Sequence, residues 1–177
     1  PKELPLYIGK LGRDIQLALS EHLSYVDENQ NMVIERLNTS REFSPGQLFS
    51  IGPFNVMPVT IDHSAFDAYA FKIEADGVSI FHTGDFRTHG FRSKKLKKML
   101  EQYVGKVDYV VSEGTNVSRP DSTSCTEVEL QKTFQNALTQ KIGHIVYLSS
   151  TNIDRLFSFY HAALRAGMPF IVDAYQK

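Results

Sequence analysis

The feature that most constrains this chain is a hairpin pattern in its central third. Tyr69–Glu74 alternates apolar and polar side chains, Asp76-Gly77 supplies a tight turn, and Val78–His82 returns the chain. The apolar, β-branched segment Asn55–Thr60, which comes before this pattern, predicts a further strand. We therefore expect an antiparallel hairpin at the centre of the fold.

Two chemically distinctive residues flank the predicted hairpin. His63 stands before its first strand and Asp85 after its second. In an antiparallel hairpin these two positions lie at the same end, so the fold should bring them together although they are distant in sequence. An imidazole and a carboxylate are ligand types that hold zinc or a similar divalent metal. The pattern therefore predicts a metal-binding pair at one edge of the sheet.

The residues around this pair resemble a known family. The segments Asp62-His63-Ser64 and Asp67-Ala68, followed by His82-Thr83-Gly84-Asp85-Phe86-Arg87, look like the third and fourth motifs of metallo-β-lactamase-fold proteins. They are most similar to the β-CASP nuclease branch and to its ribonuclease J type. The resemblance implies that His63 binds one metal ion and that Asp85 bridges two. We interpret Asp62 and Ser64 as supporting or turn residues rather than ligands.

The same family has a His-x-His-x-Asp-His cluster and a final histidine motif, and this sequence contains neither. The chain starts at Pro1 and stops in a predicted strand and its exit, Phe170–Lys177. We expect an internal piece of a longer parent protein that uses two zinc or manganese ions. A hydrolytic zinc site usually has three protein ligands, so we expect the piece alone to be inactive and to bind metal weakly or not at all.

A third candidate residue, Glu113, follows the predicted strand Val107–Val111. Its surroundings resemble the first β-CASP motif, in which an acid steadies a histidine that assists proton transfer. Gly114 departs from the small hydroxyl residue usual in that motif. Without the resemblance, a glutamate after a strand is a loop residue or a helix cap.

The second half of the chain predicts helices alternating with strands. A polar stretch at 119–124 is the candidate domain boundary, and Thr126 with Glu129 has capping-box spacing. Strands are predicted at Ile145–Leu148 and Phe170–Val172, with a helix between them, which is a parallel crossover unit. The apolar stripes of the two helices are Leu130, Phe134, Ala137 and Leu138, then Ile153, Leu156, Phe157, Tyr160 and Leu164. The predicted fold class is α/β: a partial metallo-β-lactamase αββα fold at 1–120, followed by the start of a β-CASP-like parallel insert at 121–177.

The N-terminal part predicts a helix from Leu11 to Leu23 and a strand at Met32–Leu37. We interpret His22, on the helix face, as a packed histidine rather than a ligand.

Several polar residues have two readings. Arg87 suits a bidentate phosphate contact or an ion pair within the protein. Ser149, Ser150 and Asn152 precede a helix, where they either meet a phosphate or cap the helix, and we favour capping. The basic run at 92–98 is a phosphate-tracking patch or, as we favour, a solvated helix face. His82 and His89 are weak candidates for substrate contact.

Composition adds few restrictions. The 177-residue chain has a formal net charge of −1, so affinity for nucleic acid has to come from local patches. The single Cys125 excludes an internal disulfide, and with no apolar run long enough to span a membrane we expect a cytoplasmic protein that does not bind membranes. A homo-oligomer is left open.

The leading functional hypothesis concerns the parent chain. In this hypothesis the parent protein is a metal-dependent phosphodiester hydrolase, namely a ribonuclease that acts in RNA processing or decay. DNA is the alternative substrate. One alternative is a hydrolase of small esters or thioesters with the same metal site. Another is a homologue that binds RNA or a protein partner without cutting. No Gly-x-Ser-x-Gly elbow or phosphate-binding glycine loop is present, so serine-hydrolase and NTPase functions have no support.

Overall fold

A computed structural model of the chain describes residues 4–115, 117–118, 125–140 and 142–173. Within these ranges the chain forms a two-stranded sheet, a five-stranded sheet and five α-helices, which confirms the general α/β class. The strands are β1 (Tyr7–Gly9), β2 (Arg41–Phe43), β3 (Phe49–Ile51), β4 (Phe54–Thr60), β5 (Tyr69–Ala75), β6 (Val78–His82) and β7 (Tyr109–Val111). The helices are α1 (Lys10–Leu23), α2 (Gln30–Asn38), α3 (Leu96–Tyr103), α4 (Glu127–Leu138) and α5 (Ile153–Ala166), with a 3-10 turn at Ser93–Lys95.

The predicted hairpin is confirmed as the centre of the larger sheet. That sheet has the order β3-β4-β5-β6-β7, and β5 pairs antiparallel with β4 and β6. Asp76 and Gly77 have φ values of 49° and 78° and join the pair Ala75 and Val78. Positive φ at both central residues is the conformation that favours Asp-Gly in two-residue turns.

The last strand of the larger sheet is parallel to its neighbour. β7 pairs with β6 in parallel register, and α3 lies on the connection between them. The apolar side of α3 (Leu96, Met99, Leu100 and Tyr103) packs against the main core, whose buried members are Val59, Ile61, Ala70, Phe81 and Val104. The lysines of the basic run are exposed on the opposite side, which confirms the predicted amphipathic helix.

A cluster of aromatic rings joins the small sheet to the large one. Phe43 of β2 stacks on Phe49 with ring centroids 5.6 Å apart. It also meets Tyr69 and Phe71 edge-on at 4.9 Å and 5.6 Å. Tyr7 of β1 stacks on Phe49 as well, at 5.4 Å. These contacts hold β1 and β2 against the N-terminal half of β5.

The predicted strand at Met32–Leu37 is wrong, because these residues belong to helix α2. Only Leu37 is buried, with Ile34 half-buried one turn before it, and this is helical rather than alternating spacing. Asp27 supports the start of the helix by accepting hydrogen bonds from Asn29 N–H (3.0 Å) and the Gln30 side chain (3.2 Å). Packing of α2 on α1 and the hydrogen bonds of this turn outweigh the strand propensity of Val33 and Ile34.

The predicted strands Ile145–Leu148 and Phe170–Val172 are also wrong for the described residues. Both segments are extended beside the α4–α5 pair without forming a hydrogen-bonded ladder. Ile145 is fully exposed and Ile171 is 88% exposed, whereas Val146 and Leu148 are half-buried and Phe170 packs against the α4–α5 core. One side of each segment therefore lacks a covering neighbour in the described part of the chain. A strand exists only with a paired neighbour, which a local sequence pattern does not supply.

Helices α4 and α5 pack against each other, and the buried face of α5 differs from the predicted apolar stripe. Phe157, Tyr160 and Leu164 of the predicted apolar stripe are exposed. Asp154, Ser158 and Ala162 of α5 are buried instead. The small side chains allow close helix contact, and the carboxylate has cationic partners described below. The predicted boundary at 119–124 lies outside the described residues.

Candidate functional site

Three loops leave the larger sheet at the same edge. The pairs Thr60–Tyr69, Phe71–His82 and His82–Val111 place the ends of β4, β6 and β7 side by side. Thr83 N–H donates to the carbonyl of Val111 across 2.9 Å and so continues the β6–β7 pairing into the loops. The loops that follow β4, β6 and β7 therefore share one rim of the sheet. They carry His63, Asp85 and Glu113, respectively.

His63 and Asp85 both lie on this rim. His63 is half-buried, and its Nδ1 atom is 3.5 Å from Ser64 Oγ and 3.4 Å from Ala65 N. Asp85 is exposed, and its carboxylate has no hydrogen bond or ion pair with the described part of the chain. An exposed carboxylate without a protein partner is available to a ligand.

Glu113 ties the third loop to the second. Its carboxylate accepts a hydrogen bond from Phe86 N–H at 2.8 Å, directly after Asp85. This bond, hydrogen bonds from Thr115 and the nearby His63 imidazole hold the pKa of Glu113 below its ordinary value. Glu113 is therefore ionised at neutral pH.

Asp67 links the His63 loop to helix α1. One carboxylate oxygen accepts from Gly12 N–H at 2.7 Å, in the first turn of α1, and the other accepts from the Tyr69 hydroxyl at 2.6 Å. Burial first, and then the bond to Asp67, raise the pKa of Tyr69. Since Gly9, at the start of the helix, provides no side-chain cap, Asp67 satisfies an otherwise unpaired helix donor.

Asp62 supports the site from beneath. It is 1% exposed and accepts from Gly90 N–H at 2.8 Å, while its backbone carbonyl accepts from Arg87 N–H at 2.7 Å. These bonds join the loop after β4 to the loop after β6. Asp62 is therefore held inside the protein by the loop that follows β6.

Arg87 is held inside the protein by three carboxylates. Its Nε donates to Asp62 at 3.3 Å, its Nη1 to Glu127 at 3.2 Å and its Nη2 to Asp154 at 2.7 Å. The Arg87 side chain is 10% exposed. Arg87 therefore forms ion pairs within the protein, which is one of the two roles predicted for it.

Glu127, at the start of α4, has further partners on α5. Arg155 donates to it from Nε at 3.0 Å and from Nη2 at 3.0 Å, and Ser158 Oγ donates at 3.0 Å. Burial raises the pKa of Glu127, but the bonds from Arg155 and Ser158 and the two guanidinium charges outweigh burial and lower it overall. We call the group Asp62, Arg87, Glu127, Asp154, Arg155 and Ser158 the Arg87 cluster.

Four members of this cluster, all on α4 and α5, are not among the predicted site residues. Glu127 and Asp154 read as ordinary acids in the first turn of a helix, and Arg155 as a surface cation. The available signal was the spacing of Asp154, Ser158 and Ala162, which forms a polar and small face along α5.

The loop before α5 caps that helix. The Asn152 side chain accepts from Arg155 N–H at 3.1 Å, and Ser149 Oγ and Thr151 Oγ1 lie 2.9 Å apart. Ser150 is half-buried in the same turn. Asn152 therefore caps helix α5, which is the role that we favoured for it.

The donor set at the rim fits part of a metal site. His63 and Asp85 provide an imidazole and a carboxylate, which suit zinc or manganese. Within the residues described, no group of three or more His, Cys, Asp or Glu side chains is arranged to hold a metal ion. A hydrolytic centre here needs further ligands besides these two.

His82 and His89 lie on either side of the site. His82 is exposed, and its Nδ1 accepts from Gly84 N–H at 3.0 Å, which steadies the turn before Asp85. The backbone carbonyl of His89 accepts from Glu127 N–H at 3.1 Å, so this loop also contacts the start of α4.

No protein-family model matches the sequence. Among the described residues, no helix combines the length and the apolar character needed to cross a bilayer. The structure is similar to the crystal structure of a protein of unknown function from Enterococcus faecalis V583, with a TM-score of 0.72 and 20% sequence identity. The match covers 89% of this chain and 39% of that chain, so this chain spans well under half the length of the protein it matches. At this identity, the likeness shows a shared fold.

Proposed function

We propose that the natural protein containing this chain is a metal-dependent phosphodiesterase that cleaves RNA. The observation that carries the proposal is the convergence of three loops at one rim of the sheet. Glu113 accepts from Phe86 N–H next to Asp85, and the loop that carries His63 leaves the sheet at the same rim. An imidazole and a carboxylate from separate loops are ligand types of metallohydrolase sites, which need further ligands besides these two.

His63 and Asp85 would hold the metal, together with ligands from outside this chain. Two bound divalent metals supply a water with a lowered pKa and stabilise negative charge on a phosphoryl group. Asp85 suits this role because its carboxylate is exposed and not engaged by the described residues. Glu113 holds the backbone beside Asp85 through its bond from Phe86 N–H.

A nucleic acid is favoured over a small ester as the substrate because of the positive charge that follows the rim loop. Lys94, Lys95, Lys97 and Lys98 are exposed on the 3-10 turn and on α3, directly after that loop. Lys97 is 4.0 Å from Glu101, and both side chains are largely solvated, so its charge stays available. Lysines near a hydrolytic site attract the phosphate backbone of a nucleic acid.

The test is RNA cleavage by the full-length natural protein supplied with zinc or manganese. We expect His63→Ala and Asp85→Ala to lower kcat by about 100-fold or more. The control is Glu35→Ala, an exposed position on α2, which should retain wild-type activity. Unchanged cleavage in both site variants would overturn the proposed roles.

The same assay separates the alternatives. Hydrolysis of a small ester or thioester, dependent on the same two residues and without RNA cleavage, would indicate a small-molecule hydrolase. RNA binding without cleavage of any substrate would indicate a non-catalytic homologue. Either result contradicts a ribonuclease.

A further inference from the structure

The Arg87 cluster connects two parts of the structure that have separate hydrophobic cores. One core lies between the larger sheet and α3, and the other lies between α4 and α5 around Leu138, Ala162 and Ala163. Asp62 and Arg87 belong to the rim of the sheet, whereas Glu127 and Asp154 begin α4 and α5. The guanidinium of Arg87 therefore lies where the helix pair meets the rim.

The cluster is buried to a degree that is unusual for charged groups. Asp62 and Glu127 are each 1% exposed and Asp154 is 5% exposed. Burying several ions costs free energy that their mutual attraction often does no more than offset. The three carboxylates and two guanidinium groups therefore add little net stability. They do fix the position of the Arg87 side chain, because each of its nitrogens has a different acceptor.

The cluster also continues into the candidate site by hydrogen bonds. Arg87 N–H donates to the carbonyl of Asp62, which directly precedes His63. The residue before Arg87, Phe86, donates its N–H to the Glu113 carboxylate. The loop that carries Arg87 and Asp85 is thus bonded both to Asp62, next to His63, and to Glu113.

We propose that Arg87 is a positioning residue that clamps helices α4 and α5 onto the rim loops, so that the helix pair fixes the geometry of the candidate site. This inference rests on the proposed function only for its activity readout. The clamp consists of the bonds from Arg87, in the loop between residues 83 and 90, to Glu127 at the start of α4 and Asp154 on α5.

Two substitutions separate the clamp from general stability. Arg87→Lys keeps the charge but replaces a three-way planar fork with a single ammonium group, so it cannot reach Asp62, Glu127 and Asp154 together. Asp154→Asn keeps the shape of an acceptor on α5 and removes its charge. Arg165→Lys is the matched control, because Arg165 is exposed in the last turn of the same helix.

The first measurement is amide hydrogen exchange in the full-length natural protein. For both cluster variants we expect exchange of the Arg87 and Gly90 amides to rise by about 10-fold or more, because both amides donate to Asp62. Exchange in the hairpin, for example at Ile73 and Ile80, should stay unchanged. Unchanged rim exchange, or an equal rise in the hairpin, would overturn the clamp. If Arg87→Lys does not fold, Asp154→Asn decides the result.

The second measurement is cleavage kinetics with the same variants. We expect Asp154→Asn to lower kcat by about 10- to 100-fold with KM for RNA nearly unchanged, since small displacements of reacting groups are costly. Wild-type kcat in a folded Asp154→Asn variant with increased rim exchange would overturn the link to the site. Should the wild-type protein not cleave RNA, the proposed function fails, and hydrogen exchange alone decides the clamp.

Discussion

At the scale of single residues, Gly90 shows how tightly the rim is packed. Its N–H donates to the buried Asp62 carboxylate at 2.8 Å. A Cβ atom at this position would collide with both Asp62 oxygens and with Nε of Arg87. Neither neighbour can move without breaking the Arg87 cluster.

We therefore expect Gly90→Ala to lower the free energy of unfolding by about 1–3 kcal/mol, the usual cost of forcing extra atoms into a packed site. Urea unfolding followed by circular dichroism measures the change. Gly143→Ala is the matched control, because a Cβ there meets no atom within 4 Å. Equal stability of the two variants would show that the rim accommodates a methyl group.

Part of the site was predictable at this scale. The shared edge of His63 and Asp85 follows from the hairpin and its Asp-Gly turn, which are local patterns. The partners of Arg87 were not predictable in the same way. Glu127 and Asp154 are distant from it in sequence, and an acid in the first turn of a helix usually has a local reason to be there.

At the scale of secondary structure, α4 begins with the capping box that its sequence predicts. Thr126 Oγ1 accepts from Glu129 N–H at 3.2 Å, and Glu129 accepts from Thr126 N–H at 2.8 Å. The next residue after the cap is Glu127, so the start of the helix also places a member of the Arg87 cluster.

We expect Thr126→Ala to destabilise the protein by about 1 kcal/mol through loss of the cap. Thr133→Ala tests the same chemical change in the middle of the same helix, where the hydroxyl only bonds the carbonyl of Glu129, and should cost much less. Thermal unfolding of the three proteins measures both effects. A larger loss for Thr133→Ala would contradict a structural role for the cap.

The errors in predicted elements have a common cause. Residues 32–37 carry strand-forming side chains but become helical through packing on α1, and residues 145–148 have a strand-like composition without a paired neighbour. In both cases the outcome depends on tertiary partners that a local pattern does not contain.

At the scale of the whole molecule, acid should weaken the junction between the helix pair and the sheet. The pKa of Glu127 is lowered in the folded state from an ordinary value of 4.5. The stabilisation it contributes is therefore fully present above that pH and is lost as the pH falls through the lower, folded value.

We expect Glu127→Gln to cost about 3 kcal/mol near neutral pH, because it leaves the buried Arg87 guanidinium and the partly exposed Arg155 guanidinium short of a carboxylate. The difference from the wild type should shrink as the pH falls below 4.5. Urea unfolding at a series of pH values measures it, with the exposed Glu28→Gln as control. A difference that is constant with pH would contradict the lowered pKa.

The arrangement of the rim can be examined by anomalous X-ray scattering at the zinc edge, from crystals of the full-length natural protein grown with zinc. We predict an anomalous peak in contact with both the His63 imidazole and the Asp85 carboxylate. A structure in which these side chains point away from each other, or in which zinc binds only elsewhere, would contradict a metal-dependent site at this edge of the sheet.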